Sequence, residues 1–299
     1  MLSETIVWYF EVFLFLFFLL SLPFYVSYLV TLHKYREHED LSSPFFRLMF
    51  SLGITDLLYM LLLYTFERTL RWNLAIQFHY WGGEPMLKFW VTATLGLQRT
   101  QYLLVLVTTL NRFTAILFSW SYEQIWRPWV TLLAAVLPYC GGIFSHLYIP
   151  FSCDIGLRYV ASLNKTMIKF HTCQKLIFGQ AALLTFVLVV LFVLMYVAMF
   201  VKVCHSLNST IVVNQQSVEN GRRNLAIVGL VLSSLIVLKG MVYAVLMLAW
   251  DHYVAYRSIY SLILFCNSVL FSMINPYLLF FFSEGYRGRF LALLSSFHS

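Results

Sequence analysis

Several charged and amide side chains of this sequence lie inside long apolar runs, and their chemistry is the first thing to explain. Asp56 sits in Ser51-Leu52-Gly53-Ile54-Thr55-Asp56-Leu57-Leu58, and Glu11, Arg99 and Lys239 are embedded in similar surroundings. Thr108-Thr109-Leu110-Asn111-Arg112-Phe113 closes one such run, and Ile274-Asn275-Pro276-Tyr277 lies near the end of another. A charge in hydrocarbon is costly, so each of these groups must pair, bind a ligand or sit in a conducting path. Their spacing does not suit catalysis. There is no His-Glu-x-x-His, no Gly-x-Ser-x-Gly and no phosphate loop, and the eight His have no metal-ligand spacing. The expectation is a protein that is not an enzyme and uses neither metal nor cofactor.

The elements that must position these residues follow from composition. Of 299 residues, 61% are hydrophobic and 11% are charged, against about 45–50% and about 25% in soluble domains. Lipid is the expected solvent. About 20 apolar residues at 1.5 Å each cross a ~30 Å hydrocarbon layer, and seven runs are long enough. They cover Ile6 to Leu32, Phe45 to Phe66, Phe89 to Phe118, Trp129 to Ile149, Leu176 to Val203, Leu225 to Trp250 and Ile259 to Phe282. Their β-branched and aromatic content would suit strands in water. In lipid a lone segment satisfies its backbone only as a helix, and the runs lack the alternation of a barrel. The expected fold is an all-α membrane protein, a seven-transmembrane helix bundle forming a single domain over residues 1–299.

Charge sets the expected orientation. Met1 to Trp8 holds Glu4 and no Lys or Arg, whereas Lys34 and Arg36 follow the first span and Arg287 and Arg289 follow the seventh. Basic flanks stay inside, so the N-terminus is expected outside, and nothing at the start resembles a cleaved signal peptide. The net charge of +7 is spread along the loops without a basic block, which argues against a nucleic-acid partner. After the seventh span, Phe290, Leu293, Leu294 and Phe297 follow the i, i+3, i+4, i+7 spacing of one apolar face. That pattern predicts an interfacial helix over about 284–297. Among five cysteines, Cys140, Cys204 and Cys266 are expected as buried thiols, and Cys153 and Cys173 share the second outer loop, where a disulfide can form.

Placed on these helices, the polar residues divide by depth. Gln98, Gln101 and Thr108 fall within about 40° of Arg112 on a helical wheel, giving the third span one polar face. Lys239 lies about 21 Å along its span from Leu225, and Arg99 about 20 Å from Arg112, so both cations reach the outer half. Glu11 is at comparable depth and can neutralise one of them. Lys239 is the stronger candidate to face a cavity, because Arg99 points about 140° from the Arg112 face. A cavity lined by Lys239, Arg99, Gln98, Gln101 and Glu11 would favour a small ligand with a carboxylate or other negative group. The alternative is a transporter or channel using Asp56, Arg99 and Lys239 as a charge path. The absence of matched Gly- or Pro-broken helices in two halves argues against it.

The mid-membrane Asp56, the Asn111-Arg112-Phe113 block, Asn275-Pro276 and the interfacial helix together resemble a rhodopsin-like receptor. The details are closer to the nematode serpentine chemoreceptors, the class V and class gamma families. Leu110-Asn111-Arg112-Phe113-Thr114-Ala115-Ile116 with Tyr122, Ile125 and Trp126 is similar to their span-three signature, and Asn275-Pro276-Tyr277 with Arg287 also fits. The resemblance covers the whole chain. It implies a chemosensory G-protein-coupled receptor that binds a small external molecule and activates a heterotrimeric G protein. It further implies a place in the plasma membrane, with the sensory cilium of a neuron as candidate. Asn111, Arg112, Phe113, Asp56, Asn275, Pro276 and Tyr277 would then serve coupling and activation. The chain departs from the rhodopsin-like pattern at Asn111, which replaces an acid, at Leu279, which replaces a Tyr, and in lacking Cys-Trp-x-Pro in span six. Met86-Leu87-Lys88 also supplies no Cys at the outer end of span three.

Two glycosylation triplets test the orientation. Asn164-Lys165-Thr166 falls on the expected outer side and Asn208-Ser209-Thr210 on the inner side. Asn164→Gln should abolish a glycan shift on gels while Asn208→Gln changes nothing; a shift carried by Asn208 alone would invert the topology.

Overall fold

The structure is a computed structural model that describes residues 4–72, 74, 76–160, 165–170, 173–207, 216–248 and 250–296. Seven long helices follow one another: α1 (Glu4–Lys34), α2 (Pro44–Leu62), α3 (Ile76–Leu117), α4 (Pro128–Phe144), α5 (Gln174–Leu207), α6 (Gln216–Leu248) and α7 (Trp250–Phe282). An eighth, α8 (Glu284–Ser295), is capped at its start by the Ser283 hydroxyl, which accepts from the Tyr286 amide. The chain is an all-α seven-transmembrane bundle.

Six helices are long and apolar enough to cross a membrane by composition alone. The remaining one is α3, whose middle holds Gln98, Arg99, Thr100 and Gln101. Position accounts for this. α3 packs on α2, α4, α5 and α6, so its neighbours can satisfy its polar groups where lipid could not. Gly142 of α4 permits the closest of these approaches, because a Cβ there would run into Thr100 and the Gly96 carbonyl of α3. α1 packs on α2 and α7, and α8 packs on α1 and α7. Tyr286, Phe290 and Leu293 of α8 are buried, and Leu294 stays 37% exposed, so the apolar face is narrower than its spacing suggested. Phe297 lies outside the described residues.

Several helices run beyond the expected spans. α2 does not stop at Phe66 but continues as a π-helical turn, Leu63–Arg68, and a further turn, Thr69–Arg71. α3 starts 13 residues before Phe89 and bends at Gly83, whose φ of 62° suits a residue without a side chain. The residues between the sixth and seventh expected spans, 251–258, lie inside α7. Between α4 and α5, strands β1 (Ile155–Val160) and β2 (Lys165–Phe170) pair antiparallel, with Ile155 opposite Phe170 and Val160 opposite Lys165. A disulfide between Cys153 and Cys173 closes the hairpin at its base, with Cα atoms 5.4 Å apart. The hairpin rests on α3 and on the Thr69–Arg71 turn. Asn164 and Asn208 lie outside the described residues. Cys140 is exposed on α4, rather than buried as expected, because this helix turns much of one face outward; Cys266 is partly buried.

The π-helical turn delivers a residue that composition gave no reason to select. Arg68 is 1% exposed, and its Nη1 donates to Glu11 Oε1 of α1 at 2.9 Å. Its guanidinium stacks 3.5 Å from the centre of the Phe265 ring of α7, and Glu67 lies 3.3 Å away on its other side. Trp72 Nε1 donates to the second Glu11 oxygen at 3.2 Å. Glu11 therefore neutralises Arg68, and not Arg99 or Lys239 as its depth suggested, and it forms part of an α1–α2–α7 clamp. Breaking a buried pair from one side costs about 3–5 kcal/mol, because the other charge is left in place. Arg68→Ala should accordingly lower the melting temperature of purified protein sharply. The double variant Arg68→Met with Glu11→Gln should recover much of the loss; equal loss in both would show that the ion pair is not what matters.

Candidate functional site

The polar residues of the core gather around Asp56. Its side chain is fully buried, and three neighbours direct protons at it: Tyr25 Oη of α1 at 3.0 Å to Oδ2, Gln101 Nε2 of α3 at 2.7 Å to Oδ1, and Asn275 Nδ2 of α7 to Oδ2. Gln101 Nε2 also reaches Ser272 Oγ at 2.9 Å. One carboxylate thus connects α1, α2, α3 and α7. Neutral donors, rather than a cation, answer its charge among the described residues. Gln101 is therefore a member of this cluster, and the wheel angle that it shares with Gln98 does not give them the same partner. Pro276 follows Asn275 and removes a backbone donor near the C-terminal end of α7. Tyr277 turns away to α1, where its hydroxyl donates to Ser21 Oγ at 2.9 Å and its ring stacks 4.8 Å from Phe24.

At one end of the bundle, α3 finishes beside the Phe118–Arg127 loop. Asn111 is fully buried, and its amide donates to Tyr122 Oη at 3.0 Å. One turn on, Thr114 Oγ1 accepts from Trp126 Nε1 at 2.7 Å. The residues after span three are thus pinned to the helix at two points, both of them neutral. Arg112 is only 6% exposed, with its guanidinium 3.8 Å above the Phe45 ring of α2. Its charge is therefore held inside the bundle. Phe113 stays partly buried, its ring 6.3 Å from that of Phe118.

At the other end, beneath the hairpin, lie the two remaining cations. Lys239 of α6 is 3% exposed and donates to Ser268 Oγ of α7 at 2.7 Å, with its ammonium 5.5 Å from the centre of the Tyr102 ring. It feels Glu67 only beyond contact range. Gln98 Nε2 donates to Tyr59 Oη of α2 at 3.1 Å. Arg99 is partly buried among Tyr102, Tyr148, Tyr243 and His146, and its Nη2 has no hydrogen-bond partner. Neither cation has a carboxylate within salt-bridge distance among the described residues. The structure reverses their expected ranking. Lys239 has a hydroxyl partner, whereas Arg99 carries the unsatisfied donor. No sequence signal could order them, since the difference lies in which neighbours α4, α6 and α7 present.

The family described as serpentine type 7TM GPCR chemoreceptor Srv matches residues 14–296 of the chain. That family is one of receptors, not of enzymes. No curated protein matches the sequence.

Gln101→Leu should destabilise the purified protein by about 1–3 kcal/mol, the usual effect of stripping a donor from a buried acceptor. Gln101→Glu should be worse, since it sets a second acid against Asp56. Thermal unfolding in detergent measures both; a Leu variant as stable as wild type would show that Asp56 does not depend on this donor.

Proposed function

We propose, from the premise that this chain belongs to the serpentine type 7TM GPCR chemoreceptor Srv family, that it is a plasma-membrane receptor with its N-terminus outside. In this reading it binds a small external molecule beneath the hairpin and activates a heterotrimeric G protein at the Arg112 end. Charge flanks support the orientation, with Lys34, Arg36, Arg287 and Arg289 on the inner side. A disulfide in the hairpin suits an oxidising exterior. A sensory neuron, and its cilium, is the corresponding location.

The observation that carries the ligand proposal is that two cations, Lys239 on α6 and Arg99 on α3, have no acidic partner among the described residues. A buried cation lacking a counter-ion is a site for an anion. A ligand with a carboxylate or other negative group would supply the missing charge and would draw α6 and α3 against a common partner. Asp56 lies between this site and Arg112 along the bundle, and its bonds from α2 to α1, α3 and α7 give movement at one end a path to the other. At the inner end, Asn111 cannot form an acid–arginine pair, so release of Arg112 from Phe45 and of the loop from Asn111 would expose the coupling surface. Asp56, Asn111, Arg112, Phe113, Asn275 and Pro276 act in activation. Tyr277 anchors α7 to α1.

Two outcomes test this. Arg112→Ala should abolish nucleotide exchange on Gα in membranes while surface expression and ligand binding persist, because Arg112 is about 20 Å along α3 from Arg99. Exchange at the wild-type level would reduce Arg112 to a packing role. Wild-type receptor should respond to small acids and not to their neutral esters, and Lys239→Met should erase that preference. Equal potency of acid and ester would mean that the two cations are structural.

A further inference from the structure

Although α3 is the most enclosed helix, one strip of it is left open. Arg99, Leu103 and Leu106 are partly exposed and Leu110 is 42% exposed; at 100° per residue these four share one face. The opening lies where two neighbours fail to meet. α4 packs on α2 and α3, and α5 packs on α3 and α6, but no extended contact joins α4 to α5 among the described residues. Gly141 of α4 is exposed on this side, and a Cβ placed on it would come 3.1 Å from Leu103 Cδ1. The top of the opening is bridged, with Tyr148 Oη donating to Gln180 Oε1 of α5 at 3.0 Å. The turn Tyr148–Ser152 and strand β1 both rest on α3 above it. The result is an apolar groove that faces the bilayer, roofed on its outer side, with the unsatisfied guanidinium of Arg99 at its upper end.

We propose that this groove is the entry and seat of the ligand's apolar tail. The receptor then takes amphiphilic carboxylates, whose head reaches Arg99 from the bilayer while the chain lies along Leu103, Leu106 and Gly141. The inference rests on the anion-binding reading above and adds the ligand class and its route. Charge complementarity selects the head, and depth selects the kind of molecule. Arg99 lies about 20 Å along α3 from Arg112 in a ~30 Å layer, so it sits about 10 Å inside the far interface. A two-chain phospholipid would have to drag its phosphate that distance into hydrocarbon. A single-chain acid can sink into the groove and exchange its water for the guanidinium.

The test uses full-length receptor in phosphatidylcholine nanodiscs, with direct binding of radiolabelled decanoate and benzoate as probes and no G protein present. Wild type should bind decanoate saturably, with methyl decanoate failing to compete. Arg99→Gln should weaken both acids by about tenfold or more, since each loses its charge-assisted contact. Gly141→Leu fills the groove without touching the cation, so it should weaken decanoate by about tenfold or more and leave benzoate within about twofold. Leu103→Trp serves the same purpose if Gly141→Leu lowers expression. If groove variants leave decanoate unchanged while Arg99→Gln abolishes both acids, the groove proposal is wrong and the anion site stands. If wild type binds neither acid better than its ester, both readings fall. In discs containing phosphatidylglycerol, native mass spectrometry that finds this lipid retained by wild type and lost from Arg99→Gln would identify a resident lipid as the occupant. That result would also overturn the proposal.

Discussion

A carboxylate in the middle of a membrane protein needs its charge answered by something other than water, and the way Asp56 is answered shapes the rest of this bundle. Tyr25, Gln101 and Asn275 bring one donor each from α1, α3 and α7. For all three to reach the same side chain, those helices must hold their rotation and depth to within hydrogen-bonding tolerance, and α2 must present Asp56 inward. The apolar residues supply the bulk of the packing without specifying such a register, since lipid tails are as apolar as Leu. The polar cluster supplies the specificity.

The two ends of the bundle use different chemistry around this centre. At the Arg112 end, two neutral contacts pin the loop to α3, an amide on a phenol and an indole on a hydroxyl, while the Arg112 guanidinium lies above the Phe45 ring of α2. Neutral contacts of this kind are individually weak, about 0.5–1.5 kcal/mol for a hydrogen bond, so a modest signal can open them. At the hairpin end, one charged cluster is self-contained and one is incomplete. Arg68 is paired with Glu11 and Glu67 beside Phe265, whereas Lys239 and Arg99 have no acid within salt-bridge distance among the described residues.

The membrane class, the seven spans and the polar character of the third were legible because hydrocarbon imposes a strict rule. A segment without water must be apolar, long and helical, and every exception must have a reason. Asp56, Arg112 and Asn275 stood out as such exceptions. What could not be read was pairing, which depends on rotation and contact between helices far apart in sequence. Glu11 was matched by depth to the wrong cation, because Arg68 lay just past the expected end of a span. Only the π-helical continuation of α2 turns that residue inward. Gln101 was grouped with Gln98 by wheel angle, yet they meet different residues of α2, Gln98 donating to Tyr59 and Gln101 to Asp56, and only Gln101 also reaches Ser272 of α7. The sequence by itself determined the solvent, the number of crossings and the cost of each buried charge, since these follow from transfer energies of single residues. Only the tertiary structure decided which charge each partner satisfies and which cation is left unanswered, since that is a property of how neighbouring helices meet.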